Sequence, residues 1–152
     1  MKEVVFEVKG KVKGKARPRV THNGHAYTPV STRLYEKAIR DAFVAAGGQM
    51  FHGYVHVDFE AVTGIQASAT KAQRKIRLQV EELSTTKPDI DNIEKSILDA
   101  LNGVAYEDDS SVVSVRAIKG RYEQEPRLLV RVREAFVEDI RNIHAWLWDD
   151  EA

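Results

Sequence analysis

Cysteine is absent from the 152 residues. Disulfide frameworks, zinc–thiolate sites, iron–sulfur clusters and cysteine nucleophiles are therefore excluded together, and the composition fits a reducing cytosol. Long apolar runs are missing too: none approaches the roughly 18 residues that a membrane helix needs. The N-terminal MKEVVFEVKG carries Glu3 and Glu7 inside its apolar stretch and does not read as a signal peptide. There is no Walker A motif, no G-x-G-x-x-G, and no H-E-x-x-H among the five histidines. His52 and His56 read as a strand edge and a sheet-facing residue, not a catalytic pair. An excess of one charge sign is also lacking, since 23 basic and 23 acidic residues cancel. Taken as a total, that argues against a nucleic-acid partner.

The total conceals unequal blocks. Residues 1–40 hold ten Lys/Arg against three acids, and residues 87–110 hold two lysines against seven acids. Residues 111–133 return to +4 and residues 134–152 to −5. Local potential, not the sum, governs a polyanionic ligand. The two positive blocks are thus expected to meet phosphates.

A hydrophobic share of 43% with 30% charged residues reads as one globular domain over 1–152, long enough to bury a core. Val4, Phe6 and Val8 alternate in a half-buried strand over 3–9. Lys9, Lys11, Lys13, Lys15, Arg17 and Arg19 continue at alternate positions, and an extended chain would send all six to one face. Asn23-Gly24 signals a hairpin. Ser31 is placed to cap a helix over 32–46 with Leu34, Ala38, Ile39, Ala42 and Phe43 as its stripe. A strand over 54–62 follows, then a polar helix-permissive stretch over 68–82, and Pro88 as a break. A helix over 91–102 turns Ile93, Ile97, Leu98 and Leu101 inward. Strands over 112–121 and 127–133 flank the turn Glu123–Pro126, and a C-terminal helix covers about 135–148. Trp146 and Trp148 in that helix read as packing or dimer-contact residues. The order β-β-β-α-β-α-α-β-β-α predicts an α/β (α+β) domain with a mixed, mostly antiparallel sheet flanked by helices.

The chemistry concentrates in KPDIDNIEKSILDALNGVAYEDDSSVVSV, residues 87–115. Asp89 and Asp91 are two apart after a proline, so both carboxylates can point to one side. Asp91, Lys95 and Asp99 are spaced by four and share a helix face. If the next strand starts beside that helix start, one of Asp108/Asp109 joins Asp89 and Asp91. Two carboxylates at ~4 Å repel by about 4 kcal/mol at an effective dielectric near 20. A hard divalent cation such as Mg²⁺ removes that cost and suits phosphate chemistry. Lys95, one helical turn from Asp91, could neutralise developing phosphate charge. The plain alternative makes Asp89 or Asp91 a helix cap, Asp91–Lys95 a surface pair and Asp108-Asp109-Ser110 a turn. A calcium EF-hand loop starting at Asp89 fails, because Glu94 and Ala100 stand where glycine and glutamate are required.

The stretch KPDIDNIEKSILDALNG followed by EDDSSV resembles the RusA-type endodeoxyribonucleases that resolve Holliday junctions. It carries D-x-D-N, a lysine four residues after the second aspartate, D-A-L, and a D-D pair before a strand. GKARPRV at 14–20 resembles the basic arginine–proline segment of phage and Gram-positive relatives, and the likeness spans about residues 3–133. It does not extend to the C-terminal helix. The resemblance implies a RusA-like fold and a small homodimer that hydrolyses phosphodiester bonds in branched DNA with Mg²⁺, Mn²⁺ being a substitute. Asp89, Asp91 and Asp109 match metal ligands, with Asp108 the alternative in the pair. Lys95 matches the catalytic lysine, and Asn92 and Asp99 match supporting positions. A two-fold protein presents two equivalent sites to a four-way junction. Lys15, Arg17, Arg19, Lys71, Arg74, Lys75 and Lys87 are the candidates for phosphate contacts. The expected setting is the cytoplasm of a bacterial host, with a phage or prophage origin and no membrane. Two other readings stand beside this one: a nuclease for flaps or forks, and a non-catalytic DNA-binding module.

Overall fold

The computed structural model describes residues 2–149. Along the chain it forms β1 (Glu3–Lys9), β2 (Arg19–Val20), β3 (Ala26–Tyr27), α1 (Val30–Ala45), β4 (Tyr54–Gly64), α2 (Lys71–Leu78), α3 (Ile90–Leu101), β5 (Val112–Glu123), β6 (Arg127–Ala135) and α4 (Val137–Trp148). A single 3₁₀ turn, Asp109–Ser111, leads into β5. The predicted order of elements holds, and so does the mixed, mostly antiparallel sheet. Its strands run β1-β6-β4-β5, antiparallel except for the β4/β5 pair.

Register explains the core. Val4, Phe6 and Val8 lie opposite Val132, Val130 and Leu128 of β6, which in turn face Val57, Phe59 and Ala61 of β4. All nine side chains are buried on one face of the sheet. Helices α1 and α3 cover that face with Tyr35, Ile39 and Phe43 from one and Ile93, Ile97 and Leu101 from the other. The alternation in the strands and the 3.6-residue spacing in the helices thus meet at one apolar layer.

The turn Glu123–Pro126 stands between β5 and β6 as expected, and three other local expectations are corrected. The strands that this turn joins are not neighbours in the sheet, because β5 and β6 pair with opposite edges of β4. The reason lies in β4, where Val55, His56, Val57 and Val62 are all at most 1% exposed, so that strand is central and needs a partner on each side. Helix α1 starts at Val30 with Pro29 in the cap position, so Ser31 falls inside the first turn. Its inward stripe is Thr32, Tyr35, Ile39 and Phe43, and Leu34 faces outward. The alternating cations do not share a face. Gly10 at φ +100° turns the chain after β1, and Lys15 turns in to Glu36 and Asp99 while Lys9, Lys11, Lys13, Arg17 and Arg19 stay exposed. Helix α4 has no buried residue, and Trp146 and Trp148 stand 76% and 72% exposed, so neither is a packing residue within this chain.

The other face of the sheet is open and lined by ion pairs. Arg116 forks onto Asp58 at 2.7 and 3.2 Å. Arg121 bonds Glu60 at 2.6 Å, and Arg127 bonds Glu123 and Glu7. Arg131 lies 3.9 Å from Glu3, and Arg133 lies 3.5 Å from Asp139 at the start of α4. The five arginines of the positive block 111–133 are therefore neutralised within the fold, which leaves Lys119 as the cation of that block without an ion pair among the described residues. No helix among the described residues is long and apolar enough to cross a membrane.

Candidate active site

Three segments frame the start of α3. The loop before it is tied to β5, since Ser84 donates its N–H to the Gly120 carbonyl at 2.8 Å and Lys119 Nζ donates to the Thr86 carbonyl at 2.9 Å. The N-terminal loop lies against α3 from the other side. Gly14 packs so close that a Cβ there would stand 2.9 Å from the Cβ atoms of Asn92 and Pro88. That contact sets the next residue, and the Lys15 N–H bonds the Asn92 carbonyl at 2.9 Å.

Asp89 occupies the cap position of α3, yet its side chain makes no capping hydrogen bond. Both carboxylate oxygens instead accept from Lys87 Nζ, at 2.7 and 2.8 Å. Lys87, with Lys119 behind it, holds the Asp89 carboxyl below the usual carboxylate range. Asp91 lies in the first turn and Lys95 one turn on, both exposed and without an ion-pair partner among the described residues. The plain surface pair Asp91–Lys95 is not formed.

Asp99, two turns beyond Asp91, belongs to a different setting. It meets Lys15 Nζ at 3.1 Å, and Lys15 also binds Glu36 of α1. The Lys15 side chain is only 17% exposed. Burial opposes its charge, but Glu36 and Asp99 outweigh it and hold the ammonium above the ordinary lysine range. Lys15 is thus a brace between α1 and α3, not one of the free phosphate contacts.

The D-D pair follows the same end of α3. Asp108 caps the 3₁₀ turn by accepting from the Ser110 N–H at 3.2 Å, and the Ser110 hydroxyl first, with this N–H second, holds its carboxyl below the usual range. Asp109 is exposed in the turn's first position. Both act on Tyr106, which is fully buried and donates its hydroxyl to the Leu98 carbonyl at 2.7 Å. Burial pushes the Tyr106 phenol up strongly, with the charges of Asp109, Asp99 and Asp108 adding to the shift.

The acidic motif therefore forms two groups: Asp89 with Lys87 and Lys119 at the start of α3, and Asp99, Asp108 and Asp109 around Tyr106 at its end. Asp91 and Asp99 are separated along the helix by a rise of about 12 Å. Among the described residues no three His, Asp or Glu side chains gather closely enough to hold a metal ion. The expected convergence of Asp89, Asp91 and Asp108 or Asp109 is not formed in this chain alone. Asp91, Asp108 and Asp109 are exposed, but the donor set is not assembled for Mg²⁺.

Residues 9–133 match the family described as endodeoxyribonuclease RusA. The chain belongs to the RusA endodeoxyribonuclease family. This RusA-family chain is also similar to YqaN of Bacillus subtilis strain 168, an uncharacterized protein, at 32% identity over 139 residues that cover 86% of this chain and 96% of that one. The matched segment starts at the last residue of β1, holds β4, β5, most of β6, α3 and the D-D pair, and stops before α4.

Around these carboxylates the remaining candidate cations separate by availability. Arg17 and Arg19 are exposed beside the β2/β3 hairpin, and Lys71 and Lys75 are exposed on α2. Arg74 is half-buried and donates to Gln124 at 2.8 Å, and Lys87 is engaged by Asp89. Sequence reasoning did not single out Lys119, nor Lys11 as a contact residue. Both line a recess beside Asp89, and only the approach of the N-terminal loop, the 83–89 loop and β5 brings them there.

Proposed function

We propose that this RusA-family chain is a Mg²⁺-dependent, structure-specific endodeoxyribonuclease. It resolves four-way DNA junctions by paired phosphodiester hydrolysis in recombination and repair. The supporting observation is the Asp89-Ile90-Asp91-Asn92 run with Lys95 at the exposed start of α3, where Asp89 stands in the cap position without capping. Cap-position aspartates ordinarily bond the first turn's N–H groups. A carboxylate turned away from that role, next to Asp91 and Lys95, which have no ion-pair partner among the described residues, is available for other chemistry.

Mg²⁺ is the proposed cofactor, with Asp89, Asp91 and Asp109 or Asp108 as its donors, although the chain alone does not gather them. When bound, it would supply Lewis-acid stabilisation of phosphate charge. Lys95 would place a positive charge against the scissile phosphate. Arg17, Arg19, Lys71 and Lys75 would position the duplex arms without reading sequence. A homodimer would present two such sites to the two symmetric strands of a junction. Action in a bacterial cytoplasm, on phage or prophage DNA, is part of the same proposal.

The test is a panel of synthetic junctions, forks, flaps and plain duplex, cut by the wild type and by Asp91→Asn in Mg²⁺. Paired cuts in the junction alone, lost in the variant with binding kept, support the proposal. Preferred cutting of flaps or forks moves the substrate to other branched DNA. No cutting of any substrate leaves a DNA-binding module.

A further inference from the structure

A recess of about 610 Å³ opens where β4 ends, between the N-terminal loop, the 83–89 loop and the turn before β6. That volume lies within the roughly 300–1,000 Å³ of pockets that enclose small molecules. Three lysines line it, Lys11, Lys87 and Lys119. Lys87 is shared with Asp89, whereas Lys11 and Lys119 form no ion pair among the described residues. The bond to the Thr86 carbonyl holds Lys119 in place at the wall. Pro88 and Pro126 add rigid apolar rings, and Gln66 adds an amide that can donate and accept.

We propose that this recess holds one unstacked nucleotide of the bound DNA strand. Its phosphate would lie against Lys11 and Lys119, and its base against the proline rings, with the base edge read by Gln66. The inference rests on the nuclease reading and deepens it, because Lys87 joins the recess to Asp89. The volume is sufficient for one nucleotide. A branch point is where a duplex yields a single base at least cost, since stacking is already interrupted there. Cations with apolar plates are the combination that holds single nucleotides in other single-strand grooves.

Amide NMR of the metal-free protein reads the binding directly, with deoxythymidine 5′-monophosphate, thymidine and inorganic phosphate as three separate titrants. The expected result is shifts in Lys11, Thr63–Gln66 and Lys119, with the nucleotide binding at least tenfold tighter than thymidine or phosphate. Lys11→Gln with Lys119→Gln should weaken it at least tenfold and leave the resonances outside the N-terminal loop, the 83–89 loop and β5 in place. A second arm uses a junction with 2-aminopurine at the branch nucleotide or within an arm. The wild type should change the fluorescence of the branch probe only, and the double variant should lose that change.

Equal binding of phosphate and nucleotide, or shifts elsewhere, would overturn the proposal. Mononucleotide binding with a junction signal indifferent to the double variant would also overturn it, and would mark a site for free nucleotides. Cleavage of the junction panel is scored separately. A protein that cuts junctions but leaves the recess empty refutes this inference alone. One that fills the recess from the branch probe but cuts nothing refutes the nuclease reading alone.

Discussion

Lys87 Nζ stands 2.7 and 2.8 Å from the two carboxylate oxygens of Asp89. The pair occupies the position where α3 would ordinarily receive a side-chain cap. Asp89 is thereby held ionised and pointed toward Lys119, away from its own helix. Any partner that takes Asp89 must displace or share this lysine.

The first expectation concerns that pairing. Because Lys87 lowers the folded pKa of Asp89, the favourable contribution is present above the unfolded value of roughly 3.9 and is lost as pH falls through the folded value. Carboxyl NMR titration of the metal-free protein should give Asp89 a midpoint below 3.9 or so. In Lys87→Ala the midpoint should rise toward the unfolded value. A midpoint unmoved by the substitution would show that Lys87 does not hold the group.

Lys15 has the opposite sign. Its folded pKa is raised, so its contribution is complete below the unfolded value near roughly 10.4 and fades as pH climbs through the folded value. Lys15→Met leaves Glu36, at 13% exposure, without its cation. Urea denaturation at neutral pH should show a loss of about 1–3 kcal/mol. Adding Glu36→Gln should recover part of it, because the uncompensated charge is gone. No loss in the single variant would remove the brace from the account of the fold.

Exposed cations without an ion pair and cations paired within the fold should behave differently toward DNA. Arg17→Ala or Lys71→Ala should reduce the slope of log K against log salt by about 1 each, uniformly across sequences. Arg116→Ala should leave that slope unchanged, since its guanidinium is committed to Asp58. Filter binding of a four-way junction across a salt series separates the two outcomes. A slope change in Arg116→Ala would return the open sheet face to the DNA surface.

Lys95→Ala should slow junction cleavage by about 10²–10³, the usual cost of removing one electrostatic stabiliser of the transition state. Junction affinity should stay within a few-fold, because a single phosphate contact contributes little to the total. Wild-type cleavage by this variant would remove Lys95 from the chemistry.

The apolar alternations in 3–9 and 54–62, and the Ile93, Ile97, Leu101 spacing, announced β1, β4 and α3 before any contact was known. A period of two or of 3.6 is a local property, and burial of one face is all it requires. The four-residue spacing likewise put Asp91, Lys95 and Asp99 along one helix. Ser31 does not cap α1, because Pro29, with its preset φ, starts the helix earlier. The convergence of Asp89 with Asp109 was a statement about where β5 begins relative to α3, and spacing along the chain carries no such information.

The sequence by itself determined the elements, their order and the family motif, because periodicity and residue type act over a few neighbouring residues. Which charges are free was decided only by the tertiary structure. Lys15 finds Asp99, and Arg116 finds Asp58 fifty-eight residues away. These pairs turn an apparent row of DNA-facing cations into internal braces and leave Lys11 and Lys119 in a recess instead. Coulomb attraction depends on separation in space. Only the docking of the N-terminal loop and of β5 onto β4 and α3 sets those separations.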